Sequence, residues 1–432
     1  ISRHDSHPAK IFTDRAMKKA IRMRSSNRVT DDVGKRILTI NSGSSSIKLS
    51  LYHMGPAETL LLSGIIENIG QGGGSFTITK PDGTELFERH LDIPDHDTAL
   101  RTFFEWFNHG PEYNDVNAVG HRIVHGGERY VSPEIIDDHL LQALNALVPL
   151  APDHLPQEIK AIREFRRLHP DLMQVACFDT AFHRSMPGVA QLYALPEEVR
   201  RQGVLRYGFH GLSYEYILSE LNSMAGEGIA NGRVIIAHLG NGASMGAFRN
   251  GKSIDTTMGF TPAGGLVMST RSGDLDPGVL VYLLREKGLD ASALNRMVNK
   301  QAGLLGASGT SSSMKVLLDK EPSDPRAAAA VELFCYQARK FVGALAAVLG
   351  GLDTLIFTGG IGENAPVIRE RICKDLEFLG IDVDRDRNLK NAPIISRDQG
   401  PVAVRVMKTN EELMIARHTH ALIMRGGSHG QQ

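Results

Sequence analysis

Arginine, lysine, aspartate and histidine recur in small polar segments of this chain. Arg122, Arg271, Lys48 and Asp179 lie in such segments, as do His121, His125, His154, His183, His210 and His238. Guanidinium, ammonium and imidazole groups in this number suit the neutralising and orienting of several negative oxygens. His121 and His125 also stand at the i, i+4 spacing that binds zinc on a helix, but Ile123-Val124 before Gly126-Gly127 reads as a strand end, which disfavours a metal pair. The bland reading of each lone histidine is structural.

Glycine supplies the second chemical signal, because the 44 glycines imply many places where backbone approaches something closely. Three general motifs match. Gly246-x-x-x-x-Gly251-Lys252-Ser253 is formally a P-loop, yet no helix pattern follows it. Asn250-Gly251 instead joins two strand-like runs, as a type I′ turn does. Gly242-x-Ser244-x-Gly246 matches a nucleophile elbow and fails for the same reason. Gly360-x-Gly362-x-x-Ala365 follows the apolar run Thr354 to Phe357 and precedes a helical pattern from Pro366 to Leu376. Strand, glycine loop and helix in that order can hold a phosphate or nucleoside.

The elements that must position these groups alternate between strands and helices. Arg36 to Ile40 and Ile47 to Tyr52 read as strands around a loop of small residues, and Pro81-Asp82-Gly83 marks a further hairpin. Arg233 to His238, a glycine loop, and Met245 to Arg249 repeat that design about two hundred residues later. The repetition predicts a duplicated domain whose two polar loops face one cleft. Helical patterns over Pro156 to Leu168 and Ala327 to Leu349 complete an α/β protein with helices flanking mixed sheets.

A length of 432 residues predicts two large domains. With 48 Lys and Arg against 49 Asp and Glu, no overall electrostatic attraction to nucleic acid or an anionic membrane is expected. Cys177, Cys335 and Cys373 lie far apart, which predicts neither disulfides nor a thiolate metal site and suits a reducing compartment. The stretch Phe341 to Gly360 is interrupted by Asp353 and falls short of the ~20 apolar residues of a membrane helix. A soluble, cytoplasmic protein is expected. Residues 1 to 35 lack strand periodicity, and their Arg- and Lys-rich composition reads as a leader or extension outside the fold.

Ordered blocks then carry a family resemblance from about Arg36 to Arg417. They are Asn41-Ser42-Gly43-Ser44-Ser45-Ser46-Ile47-Lys48, Gly120-His121-Arg122-Ile123-Val124-His125-Gly126-Gly127, Phe178-Asp179-Thr180-Ala181-Phe182-His183 and Tyr207-Gly208-Phe209-His210-Gly211. His238-Leu239-Gly240-Asn241-Gly242-Ala243-Ser244, Thr270-Arg271-Ser272-Gly273-Asp274, Gly359-Gly360-Ile361-Gly362-Glu363-Asn364 and Thr409-Asn410-Glu411-Glu412 follow. Together they resemble the acetate kinase family of carboxylate kinases, in the actin-like ATPase superfamily.

The resemblance implies two actin-like (ribonuclease H-like) domains around a central active-site cleft. The first would span 36–178 completed by 410–424, and the second, which binds nucleotide, 179–409. It implies reversible transfer of the ATP γ-phosphoryl group to acetate, giving acetyl phosphate and ADP, with Mg²⁺ for which Mn²⁺ can substitute. A homodimer is implied, and neither nucleic acid nor membrane is a partner. Arg122 resembles the carboxylate-binding arginine, with Val124 helping to form the methyl pocket. Arg271 and His210 resemble the pair that stabilises the phosphoryl oxygens, with His154 as a third member. Asp179 resembles the catalytic aspartate, orienting Arg122 and metal-bound waters, and Asn41 and Glu411 match the Mg²⁺ positions. Lys48, His238, Leu239, Gly240, Asn241, Gly242, Ser313, Met314, Lys315, Gly359, Gly360, Ile361, Gly362 and Glu363 fall in the blocks assigned to nucleotide.

Two blocks depart from the family pattern. Ser311-Ser312-Ser313-Met314-Lys315 stands where Ser-Ser-Asp-x-Arg is usual, and His154-Leu155-Pro156 where His-Asn-Pro is usual. The first departure leaves the donor open, with pyrophosphate an alternative to ATP. Propionate or butyrate is an alternative acceptor. A non-catalytic nucleotide-binding protein of the same fold is the reading from another class.

Overall fold

Two sheets carry the chain, and each is built around central strands that are buried on both faces. The computed structural model describes residues 34–43, 45–70, 72–109 and 116–426, so residues 1–33 of the expected extension lie outside the described residues. β1 (Lys35–Ser42), β2 (Ile47–Met54), β3 (Glu58–Glu67), β4 (Gly74–Thr79) and β5 (Glu85–Leu91) form an antiparallel meander. β6 (Ala118–Ile123) pairs parallel with β1, and β8 (Met173–Phe178) parallel with β6, while the short β7 (Glu134–Ile135) edges the sheet. The order is β5-β4-β3-β2-β1-β6-β8-β7.

The second sheet has β9 (Val234–Leu239), β10 (Ala243–Arg249), β11 (Lys252–Thr256), β12 (Thr354–Thr358) and β13 (Ala403–Val406), in the order β11-β10-β9-β12-β13. β9 and β10 are antiparallel and β12 runs parallel to β9, as β1, β2 and β6 do in the first sheet. The repeated strand-loop-strand design is therefore real in three dimensions. β12 is buried at all five residues, as expected of a parallel strand covered on both faces.

Three helices show how the sheets are covered. Leu155–Leu168 carries Pro156 in its first turn, which the fixed φ of proline suits, and turns Leu155, Ile159, Ile162 and Phe165 inward. Pro325–Leu349 is capped by Asp324, whose side chain accepts the Arg326 N–H, and ends at Gly350 with φ 72°. Glu411–Gly426 packs on β1, β2, β6 and β8 and on the helix Gly211–Ala225. Gly120 in β6 permits that approach, since a Cβ there would collide with Thr419 and Ile415.

The structure moves several groups from loops into strands. Asn41 and Ser42 extend β1, paired with Lys48 and Ile47, because the hairpin ladder continues to the turn. His121 and Arg122 lie in β6, whereas His238 lies in β9, within the strand expected from Arg233. The glycine segment after β12 is itself a short helix, Gly359–Asn364, rather than a loop. The helix from Pro366 stops at Cys373, before Asp375 at φ 62°. Asn250 and Gly251 have φ 53° and 68°, both positive as a type I′ turn requires, so a hairpin replaces the formal P-loop. Among the described residues no helix is long and apolar enough to cross a membrane.

Several histidines serve the core. His121 Nε2 pairs with Gln174 Oε1 at 2.8 Å, His183 Nδ1 with Ser253 Oγ at 2.8 Å, and His125 Nδ1 accepts the Gly127 N–H at 2.9 Å. Burial pushes His121, His125 and His183 down to about 4. The unfolded chain binds these protons first, so the stability they contribute is complete above about pH 6.5 and is lost as pH falls toward 4. Denaturant unfolding at pH 7.5, 6.0 and 5.0 should show falling stability at each step, and equal stability at all three would refute the neutral assignment.

Candidate active site

The carboxyl ends of β1, β6, β8, β9 and β12 point toward one region, the place where ligands bind in α/β sheets. A cavity of about 670 Å³ opens there. Asn41, Lys48, Arg122 and Glu411 line it from the first sheet and the C-terminal helix. His210, His238, Gly240, Asn241 and Gly242 line it from the second-sheet side. Ser313, Met314 and Lys315 form another wall, and Gly359, Gly360, Ile361 and Glu363 a further one. The two polar loops thus face one cleft, as their repetition suggested.

Arg271 and His154 line an adjoining cavity of about 250 Å³. The two cavities meet at Gly242, where a Cβ would stand 3.4 Å from His210 Nε2 and 3.6 Å from Arg271 Nη1. Asp179 lies behind Arg122, with its side chain 1% exposed. Val124, Leu239 and Gly362 are placed differently. The first two are buried in the apolar core, and Gly362 packs against Phe357 and Ala237. A cavity of about 570 Å³ beside Phe178 and His418 holds none of the predicted site residues.

Arg122 is fixed before any substrate arrives. Its Nε donates to Asp179 Oδ2 at 3.1 Å and its Nη2 to the same oxygen at 2.5 Å. Burial opposes its charge, but Asp179, Glu411 and Glu158 more than offset that and hold it above the ordinary arginine value. Its remaining edge is available to an anion in the cavity. Arg271 donates through Nη1 to the Pro262 carbonyl at 3.1 Å and forms no ion pair among the described residues. Burial, and then Arg122 nearby, pull it below its usual value.

Hydroxyl chains orient the two cavity histidines, whose rings stack with centroids 4.2 Å apart. Tyr214 OH meets Ser244 Oγ, which meets His210 Nδ1 at 2.8 Å. With the protons running from Tyr214 to Ser244 to Nδ1, the neutral ring keeps its own proton on Nε2 and donates it toward Gly242. Thr409 Oγ1, Ser213 Oγ and His238 Nδ1 form a parallel chain with both distances 2.8 Å. Burial, with His238 and the two arginines, pushes His210 well below the usual imidazole range. Burial and then Lys48 bring His238 to about 4, while burial and then Arg122 bring His154 to about 3. At neutral pH these imidazoles are uncharged.

The oxygen groups suit a hard cation. Asn41 Nδ2 donates to Glu411 Oε2 at 3.1 Å and Glu412 Oε1 at 3.4 Å, which leaves its amide oxygen free to act as a ligand. Asp179 Oδ1 is buried with no hydrogen-bond partner among the described residues. Burial, then Asp179 and Glu412, push Glu411 above the usual carboxylate range, as expected of a carboxylate cluster awaiting positive charge. Among the described residues no three His, Cys, Asp or Glu converge on one point. One amide and one or two carboxylates are the donor set that Mg²⁺ takes when substrate phosphates complete its shell.

Sequence reasoning missed two contributors, Glu158 and the Tyr214–Ser244 chain. Glu363 Oε1 accepts the N–H groups of Gly359 at 3.0 Å and Thr409 at 3.3 Å, which pins the glycine helix to the segment before Glu411. Glu158 had a visible signal, an acid on the apolar face of its helix. Gly242 supplies a direct test. An alanine methyl would fit at contact distance yet occupy space beside His210 and Arg271, so Gly242→Ala should lower kcat roughly tenfold. Thermal unfolding should be little changed, and full activity would show that the space is not used.

Known proteins are similar to this chain in sequence and fold. The acetokinase family model matches residues 36–417. The acetate kinase of Rhodopseudomonas palustris is 45% identical over 392 residues, which are 89% of this chain and 98% of that protein. The crystal structure of Porphyromonas gingivalis acetate kinase is similar with a TM-score of 0.80 at 38% identity, covering 90% of this chain and 100% of that one. A propionate kinase from Francisella tularensis is similar with a TM-score of 0.82 at 36% identity, covering 89% of this chain and 98% of that one.

Proposed function

Because this chain belongs to the acetokinase family, we propose that it transfers the ATP γ-phosphoryl group reversibly to acetate, giving acetyl phosphate and ADP in one in-line step. The observation that carries this is the convergence of His210 and Arg271 on the space beside Gly242, in the cavity that Arg122 also lines. Acetate, with a pKa near the ~4.3 of a Glu side chain, is ionised at neutral pH and needs no base. The difficulty is mutual repulsion between a carboxylate and a polyphosphate, so positioning and charge stabilisation must supply the rate.

Arg122, held by Asp179, presents its open edge to the carboxylate. Arg271 and His210 Nε2 then donate to the phosphoryl oxygens as charge spreads over them in the transition state. Lys48 faces the phosphates as a point charge. Asn41 and Glu411 would hold Mg²⁺, whose positive charge would offset part of the negative charge of the phosphates. Gly240 to Gly242 and the segment Gly359 to Glu363 border the nucleotide, and Ser313 caps the helix Met314–Lys320 that forms the far wall. The two sheets support a division into domains 36–178 with 410–424, and 179–409.

An assay trapping acetyl phosphate as its hydroxamate, run with acetate, Mg²⁺ and either ATP or pyrophosphate, tests this reading. ATP-dependent product is expected, and none with ATP would overturn it. The fold likeness to a propionate kinase makes the acceptor a separate measurement: kcat/KM across acetate, propionate and butyrate should peak at acetate. One methylene is worth only ~10- to 200-fold.

A further inference from the structure

Glu158 takes no part in the transfer set out above, yet its carboxyl stands directly behind the acceptor's arginine. It lies in the first turn of the helix Leu155–Leu168, on the face that buries Leu155, Ile159 and Ile162, and its side chain is 1% exposed. Oε2 accepts the Val124 N–H at 3.1 Å. Oε1 lies 4.0 Å from Arg122 Nη1 and is buried with no hydrogen-bond partner among the described residues. Arg122 already gives Nε and Nη2 to Asp179, so Nη1 is the part of the fork that faces Glu158.

Charge counting decides what this implies. Arg122 and Asp179 sum to zero. A second carboxylate against the same guanidinium would make the cluster net negative and would compete with an anionic acceptor for Nη1. A neutral carboxyl does neither, while still holding the Val124 backbone.

We propose that Glu158 is a positioning residue for the acceptor: its uncharged carboxyl holds the Val124 backbone beside Arg122 and leaves the guanidinium charge to an incoming carboxylate. This rests on the transfer to a carboxylate proposed above. The groups that face Glu158 agree with a neutral state. Burial pushes its carboxyl up to about 8, against the pull of Arg122 on β6 and of the Val124 N–H, and Asp179 after β8 adds to the rise. On its own helix, His154 is neutral above about pH 3. The helix Asp138–Leu147, packed on the same side, buries Leu140, Leu141 and Leu144.

The sign follows directly. Below about pH 8 Glu158 is protonated and acetate meets Arg122 unopposed; above it, ionisation weakens acetate binding. If only the neutral form binds, the acetate Kd rises about tenfold from pH 7 to pH 9. Calorimetric titration of acetate into the full chain, without nucleotide or Mg²⁺, measures this beside Glu158→Gln, which can still accept the Val124 N–H but cannot ionise. The wild-type Kd should rise about tenfold and that of E158Q should change less than about twofold. ADP titration into the same samples reports whether each protein is folded, and the wild-type arm stands alone if E158Q is not.

A wild-type Kd that is equal at both pH values overturns the role of Glu158, as does an E158Q that keeps the full rise. Hydroxamate formation at pH 7 tests the transfer separately. A chain that binds acetate with this pH dependence yet makes no acetyl phosphate would refute the proposed reaction and leave Glu158's role standing. No acetate binding at either pH would refute both.

Discussion

Arg271→Ala is expected to lower kcat by ~10³-fold or more while changing the KM for acetate and for ATP far less. The reason is where its charge sits. Arg271 touches the Pro262 carbonyl at 3.1 Å and has no ion-pair partner among the described residues, so its charge is uncommitted in the ground state. Its Nη1 stands 3.6 Å from where a Gly242 Cβ would be, next to His210 Nε2. A cation placed there gains most when negative charge spreads over the phosphoryl oxygens, and that gain appears in kcat. Arg271→Lys should recover only part of the loss, since an ammonium cannot hold the Pro262 carbonyl and a phosphoryl oxygen with the same planar geometry. Steady-state kinetics with both substrates varied decides the matter, and near-normal turnover by Arg271→Ala would remove the role.

Arg122→Ala should act on the other parameter. Its contact with the acceptor carboxylate is already made in the bound substrate complex, so the KM for acetate should rise about 10²-fold, the worth of a charge-assisted paired contact. The nucleotide KM should move much less. Removing the guanidinium also leaves Asp179 buried without its cation, so the protein should lose stability as well. Arg122→Lys separates the two effects: it retains a positive charge near Asp179 but loses the fork, so stability should largely return while the acetate KM stays raised. Equal increases in both KM values would contradict the assignment.

How much of this was legible in the chain depends on the range of the interaction. The Asn250-Gly251 turn could be read because its positive φ values are a local demand that those two residues meet. The repeated hairpins could be read because strand alternation and glycine loops are local patterns too. The extension of β1 to Ser42 could not, since Ser42 belongs to the strand only through its pairing with Ile47. His121, His183 and His238 look alike in sequence. Only tertiary packing sends the first two to Gln174 and Ser253 in the core and the third to the cavity wall. Leu239 and Gly362 fall in the nucleotide blocks, but strand alternation turns Leu239 to the core and the helix turn tucks Gly362 behind Gly360. The Arg122–Asp179 pair spans 57 positions, and its separation carries no periodic signal.

The most direct test concerns the path of the phosphoryl group. Asp179 behind Arg122 and Glu411 on the cavity wall are each held, one by Arg122 and the other by Asn41. The histidines there are neutral and oriented by hydroxyl groups. Such a site brings acceptor and donor into line and needs no phosphorylated side chain between them. ATP made chiral at its γ-phosphorus with oxygen isotopes, turned over with acetate, reports the path in the configuration of the acetyl phosphate formed. A single in-line displacement gives inversion, the expected result; retention would mean two displacements through a phosphorylated residue and would contradict it.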